Sequence, residues 1–129
     1  MLIFKQLFGK RTKNKPMVSI ETFKALALAF DEAVEQPHFE KISFRVNKKI
    51  FATLDIKNSR VVIKLTAIDQ SVFCSFNKSI IYPVLGTWGK HGWTTIELTK
   101  VGKNMLKDAL ATSYCSVAPP RLAEKYARK

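Results

Sequence analysis

Three consecutive runs of period-two alternation constrain this chain more than any other feature. Ile42, Phe44 and Val46 alternate with Ser43, Arg45 and Asn47, and Ile50, Ala52, Leu54 and Ile56 alternate with Phe51, Thr53 and Asp55. Val61, Ile63 and Leu65 then alternate with Val62, Lys64 and Thr66. Successive side chains of an extended backbone point to opposite sides, so each run carries one apolar and one mixed face. Short turns at Asn47-Lys48 and Lys57-Asn58-Ser59 join the runs, which predicts an antiparallel meander. The apolar face needs cover, whereas the mixed face can meet water.

The cover is legible on either side of the meander. Ile20, Phe23, Ala27, Phe30 and Val34 recur at three- and four-residue steps, one stripe of a helix that Ser19 caps and Gln36-Pro37 ends. Glu21 suits the positive end of its dipole. Residues 67–79 are ambiguous, with Asp69 placed to cap a short helix carrying Val72, Phe73 and Phe76. Ile80-Ile81-Tyr82 reads as a short strand ending at Pro83, and a loop containing Gly86, Gly89 and Gly92 leads into a strand over Trp93–Leu98. A second helix is expected from about Val101 to Val117, stopped by Pro119-Pro120, with a short basic helix over Arg121–Arg128. The class is α+β: an antiparallel sheet, built of a three-strand meander plus a later hairpin, with N- and C-terminal helices packed on one face.

At 129 residues, with 47% hydrophobic and 25% charged, one compact core is expected over residues 17–129. Residues 1–16 form a leader in which Leu2, Ile3, Phe4, Leu7 and Phe8 mix with basic side chains. Such a basic amphipathic segment reads first as an extension whose apolar residues rest on the domain; peripheral contact of residues 2–15 with an anionic surface and an arm that gains order on DNA are the alternatives. No apolar run approaches the roughly 20 residues of a membrane helix. Lys and Arg number 22 against ten acids, a formal charge of +12. Five of these cations precede Pro16, which leaves 17 against ten, a surplus of seven on the domain. That excess points to a polyanionic partner. Cys74 and Cys115 match neither a disulfide framework nor a zinc or redox motif, which points to a reducing cytoplasm.

No reaction is legible. His38 and His91 stand far apart and away from any cysteine motif, and each cysteine reads as a small buried hydrophobe. Gly86-Thr87-Trp88-Gly89-Lys90-His91-Gly92 has regularly spaced glycines but leads into a strand, so it offers no phosphate-holding helix start. Among the ten acids no carboxylate pair stands out as an acid–base couple. We therefore assign no catalytic residue, no cofactor and no metal, and expect no enzyme. Binding has more material: Lys48 and Lys49 in one turn, Lys57, Asn58 and Arg60 in another, and Lys90 beside His91, with Trp88 and Trp93 bracketing the last group. Arg45 and Lys64 project from the mixed sheet face, and Arg121, Lys125, Arg128 and Lys129 form a basic tail. Trp93 reads as core and Trp88 as the functional aromatic.

The colinear set of Pro37-His38-Phe39, Phe44-Arg45-Val46, Lys49-Ile50-Phe51-Ala52, Val62-Ile63-Lys64-Leu65, Gly89-Lys90-His91-Gly92-Trp93, Ser113-Tyr114, Val117-Ala118-Pro119 and Arg121-Leu122 resembles the MmcQ/YjbR-like family of small bacterial proteins over residues 17–129. The resemblance implies an antiparallel α+β domain with paired wings suited to DNA. By position the wings are Asn47-Lys48-Lys49 and Gly89-Lys90-His91-Gly92. Gly92 intervenes between histidine and tryptophan, where some relatives have them adjacent, and the leader lies outside the family pattern. The expectation is a DNA-binding protein with phosphate contacts from Lys48, Lys49, Lys90 and Arg121, and with His91 and Trp88 near the groove. No recognition helix carries base-reading side chains, so binding is expected to be largely non-specific. The alternative is a protein-interaction or small-ligand module that uses the sheet face and the Trp88 loop.

Overall fold

The computed structural model describes residues 17–126, so the leader over 1–16 and the basic residues Arg128 and Lys129 lie outside the described residues. Six strands, β1 (Val34–His38), β2 (Lys41–Val46), β3 (Lys49–Asp55), β4 (Arg60–Lys64), β5 (Ile81–Pro83) and β6 (Trp93–Glu97), form one antiparallel sheet in the order β1-β2-β3-β4-β6-β5. The helices are α1 (Ile20–Leu28), α2 (Ala67–Cys74), α3 (Thr87–Lys90), α4 (Lys103–Val117) and α5 (Pro120–Ala123), with a 3-10 turn over Glu124–Tyr126. The expected α+β class holds: meander, later hairpin and helices on one face.

Phe44, Ala52, Leu54, Val61, Ile63, Ile81 and Ile96 point from that covered face and are fully buried. Ser19 caps α1 by accepting from the Thr22 amide, and Phe23 packs edge-on against Phe44 at 5.4 Å. The expected run of α1 to Gln36-Pro37 is not what forms. The helix stops at Leu28, Glu32 takes a left-handed φ of 63°, and Val34–His38 becomes an edge strand. An edge strand tolerates Pro37, whose missing amide removes no interior rung. Phe30 keeps its place in the core by meeting Phe51, Tyr114 and Tyr126. The ambiguous stretch after β4 starts helically at Ala67, and Thr66 rather than Asp69 supplies the cap.

One irregularity ties the two layers together. Phe44 pairs with Ala52 while Arg45 pairs with Ile50, so Phe51 bulges out of β3. Its ring meets Tyr114 edge-on, and its carbonyl accepts from the buried Ser113 hydroxyl at 2.7 Å. The hydroxyl oxygen in turn accepts from the Lys64 amide at 3.1 Å, so Ser113 of α4 stands in for a rung that the bulge removes. Ser113→Ala leaves a buried carbonyl and a buried amide unpaired, and should lower stability by about 2–3 kcal/mol in denaturant titration. A loss below about 0.5 kcal/mol would show that the two groups pair otherwise.

Tyr114 adds a pH dependence. Burial first, then the charges of Tyr126, Asp31 and Glu32, push its phenol up to about 12. The unfolded chain releases that proton near pH 10 while the folded chain still holds it. Stability is therefore complete below about pH 10 and is lost as pH rises towards 12. In Tyr114→Phe this part of the alkaline slope should vanish, with a lower plateau because the hydrogen bond to the Asp31 carbonyl is gone. A slope identical to the parent's would assign it to other groups.

Candidate nucleic-acid interface

The helices leave the second sheet face open, and strand register sorts its side chains into three transverse rows. At one end Val34 pairs with Arg45, Arg45 with Ile50, and Lys64 with Trp93. In the middle Gln36, Ser43, Thr53, Val62, Thr95 and Tyr82 run from strand to strand. At the other end come His38, Lys41, Asp55, Arg60 and Glu97. The first row has cations and apolar groups without an acid, the second is uncharged, and the third mixes both signs. The charge of the open face thus changes along the strands, not across them.

Both expected wings lie at the first end. β2 runs into the Asn47-Lys48 turn there, and β6, antiparallel to β4, starts there at Trp93 immediately after α3. With strands about 4.8 Å apart, β3 and β6 are separated by roughly 10 Å, within reach of one polyanion. Asn47 and Lys48 both take left-handed φ angles, 51° and 68°, the geometry of a tight hairpin in which glycine would be at ease. Lys48, Lys49, Lys90 and His91 are all exposed.

The ion pairs among the described residues are Lys24–Glu35, Arg60–Glu97, Arg121–Glu32 and Lys125–Asp31. Lys48, Lys49, Arg45, Lys64 and Lys90 belong to none of them. Arg45 donates to the Ser43 hydroxyl, while the Lys64 ammonium bonds the His91 carbonyl and lies 5.5 Å from the Trp93 ring centre. At the opposite end Arg60 is held by Glu97, and hydrogen bonds from Asn58 hold the Asp55 carboxyl below its ordinary range.

Arg121 stands apart from the other five expected residues. Its guanidinium grips Glu32 with two bonds of 3.0 and 3.2 Å on the helical side, so its charge is already matched. Trp88 is 64% exposed, as expected for an available aromatic. Trp93 departs from its reading as core, because it shares the open face with Lys64 and is partly exposed.

Backbone packing holds the Trp88 loop in place. Gly89 lies against Val84, where a Cβ would meet the carbonyl oxygen at 1.9 Å, and Gly92 lies as close to the Leu65 carbonyl. The Gln70 side-chain amide of α2 donates to the carbonyls of Gly89 and Trp93 and to the Thr94 hydroxyl, at 2.9, 3.3 and 3.1 Å. Sequence reasoning misses Gln70, since a single glutamine on a short helix carries no signal.

Elsewhere, a groove of about 640 Å³ runs between α2 and α4, lined by Val72, Phe76, Met105, Asp69 and Asp108 among others. Burial pushes the Cys74 and Cys115 thiols up, away from the reactive thiolate. No group of three or more His, Cys, Asp or Glu among the described residues is placed to hold a metal ion, and no described helix is long and apolar enough to cross a membrane.

Comparison with known proteins adds three findings. A family model described as YjbR matches residues 28–116. The fold is similar to that of Deinococcus radiodurans protein DR2400, a crystal structure with family-model domain DUF419, at a TM-score of 0.70 and 20% identity, covering 87% of this chain and 90% of that chain. No curated protein matches the chain.

Proposed function

This chain belongs to the YjbR family, and from that premise we propose that it binds DNA through the phosphate backbone without reading base sequence. One observation carries the reading: Arg45, Lys48, Lys49, Lys64 and Lys90 gather at one end of the sheet in none of the ion pairs among the described residues, while Asp55 and Glu97 lie at the other. Cations without local counter-charges attract a polyanion over a Debye length, and one polyanion can touch several at once. The reading involves no catalysis. It takes the protein to work in the cytoplasm, where Cys74 and Cys115 stay reduced.

Each phosphate neutralised releases counterions, and the affinity then falls with salt at about 0.7–0.9 log units per phosphate per log of salt concentration. Five such phosphates predict a loss of at least about a hundredfold between 50 and 200 mM salt. An electrophoretic shift series across that range is the test, and an affinity indifferent to salt would remove the proposal.

A small-ligand reading has one observation in its favour. Lys41, Asp55, Arg60 and Tyr82 line a shallow depression of about 400 Å³ on the open face. It predicts binding insensitive to salt and to changes at Lys48 and Lys90.

A further inference from the structure

We infer that the open sheet face takes single-stranded DNA in preference to duplex, with Trp93 and Trp88 as stacking surfaces for unpaired bases. The inference rests on the phosphate-binding reading and specifies the substrate of the same site. Across the sheet the end row runs Arg45, Ile50, Lys64, Trp93: cation, apolar, cation, aromatic. At about 4.8 Å per strand the two cations stand roughly 10 Å apart and the row spans roughly 15 Å. Alternation of this kind matches a polymer that presents phosphates and flat apolar faces together, as an unpaired strand does.

A duplex presents its phosphates and keeps its bases stacked inside. Laid on this face it would press charged backbone against Ile50, Trp93 and the protruding Leu85, which is 93% exposed, and would meet Trp88, 64% exposed on the short helix that leads into β6 at the same end. The phosphates pressed against those apolar side chains would lose water and gain no hydrogen-bond partner. An unpaired strand gives them bases to stack on while Lys48, Lys49, Arg45 and Lys90 hold its phosphates. The Lys64 ammonium lies 5.5 Å from the Trp93 ring centre, so a base that stacks on that ring face takes the place of the cation while its phosphate stays within the cation's reach. Trp88 is held outward because Gly89, its neighbour on α3, seats the helix against the Val84 backbone. With the backbone fixed in advance, only the Trp88 side chain is left to be ordered when a base stacks on it.

The test is fluorescence anisotropy of the full chain with a dye-labelled oligothymidylate of about 15 nucleotides and with a duplex of the same length, at one salt concentration. The single strand should bind at least tenfold more tightly and quench tryptophan emission. Trp88→Ala and Trp93→Leu should each weaken single-strand binding roughly tenfold and leave duplex binding within about twofold. Trp88 is a surface residue, so its variant stays decisive even where Trp93→Leu loses stability. Equal or tighter duplex binding, or a Trp88→Ala protein with unchanged single-strand affinity, overturns the inference and leaves the phosphate reading standing. Binding of neither DNA form overturns both.

Discussion

Alanine at Gly92 is expected to lower the thermal midpoint by about 10 °C or more and to weaken DNA binding. Gly92 has a φ of 100°, which L side chains avoid. A Cβ there would stand 1.9 Å from the Leu65 carbonyl oxygen and 3.1 Å from its carbon. Neither neighbour can step aside. The Leu65 amide is bonded to the Gly92 carbonyl at 2.9 Å, the Thr94 hydroxyl bonds the same carbonyl, and Leu65 itself is core. Backbone strain of about 1–3 kcal/mol adds to a similar cost of overpacking. A total near 3–4 kcal/mol corresponds to roughly 10–15 °C for a chain of this size. Gly86→Ala is the matched control, since its φ is 79° but nothing lies within 4 Å of the added carbon. It should shift the midpoint by only a few degrees. Equal midpoints for the two variants would mean that the approach to Leu65 contributes nothing.

Joint reversal of Lys48, Lys49 and Lys90 to Glu should cut DNA affinity by at least about a hundredfold at moderate salt. The log–log salt slope should become shallower by about two to three, one step for each phosphate that is no longer neutralised. All three side chains are exposed, so the fold should survive, as circular dichroism can confirm. Net charge is the competing explanation, and a second triple variant separates it. Lys57→Glu, Lys100→Glu and Lys103→Glu make the same formal change at the opposite end, where Asp55 and Glu97 already stand. That variant should lose only a few-fold and keep the salt slope. If both triples weaken binding equally, overall charge rather than the end-row cluster drives it.

The two largest effects thus fall on opposite kinds of residue, a glycine that seats the loop and cations that the loop presents. The glycine spacing of residues 86–92 is plain in the sequence, but its purpose is not. It serves close approach to the Val84 and Leu65 carbonyls, and Leu65 lies well removed along the chain. Trp93 carries a signal that points the other way from its reading as core. It shares its phase with Thr95 and Glu97, while Thr94, Ile96 and Leu98 hold the apolar phase, so it belongs on the solvent side. Arg121 shows the reverse. Nothing near it in the chain announces Glu32, which neutralises it across 89 positions.

What the sequence determined alone is whatever has a local period. Alternation of two set β2, β3, β4 and β6, and the apolar spacing of Leu106, Ala109 and Leu110 set α4. Proline and glycine marked most of the stops. These follow from steric preferences of a few consecutive residues, which do not wait for a partner. Only tertiary structure decided that β6 inserts between β4 and β5, that Phe51 bulges and draws in Ser113, and that residues 34–38 extend instead of continuing α1. Pairing and burial between distant segments settle such choices, and they outweigh local propensity once a core closes. The gathering of Lys48, Lys49, Lys64 and Lys90 at one end follows from that strand order, because antiparallel pairing sets which turns become neighbours.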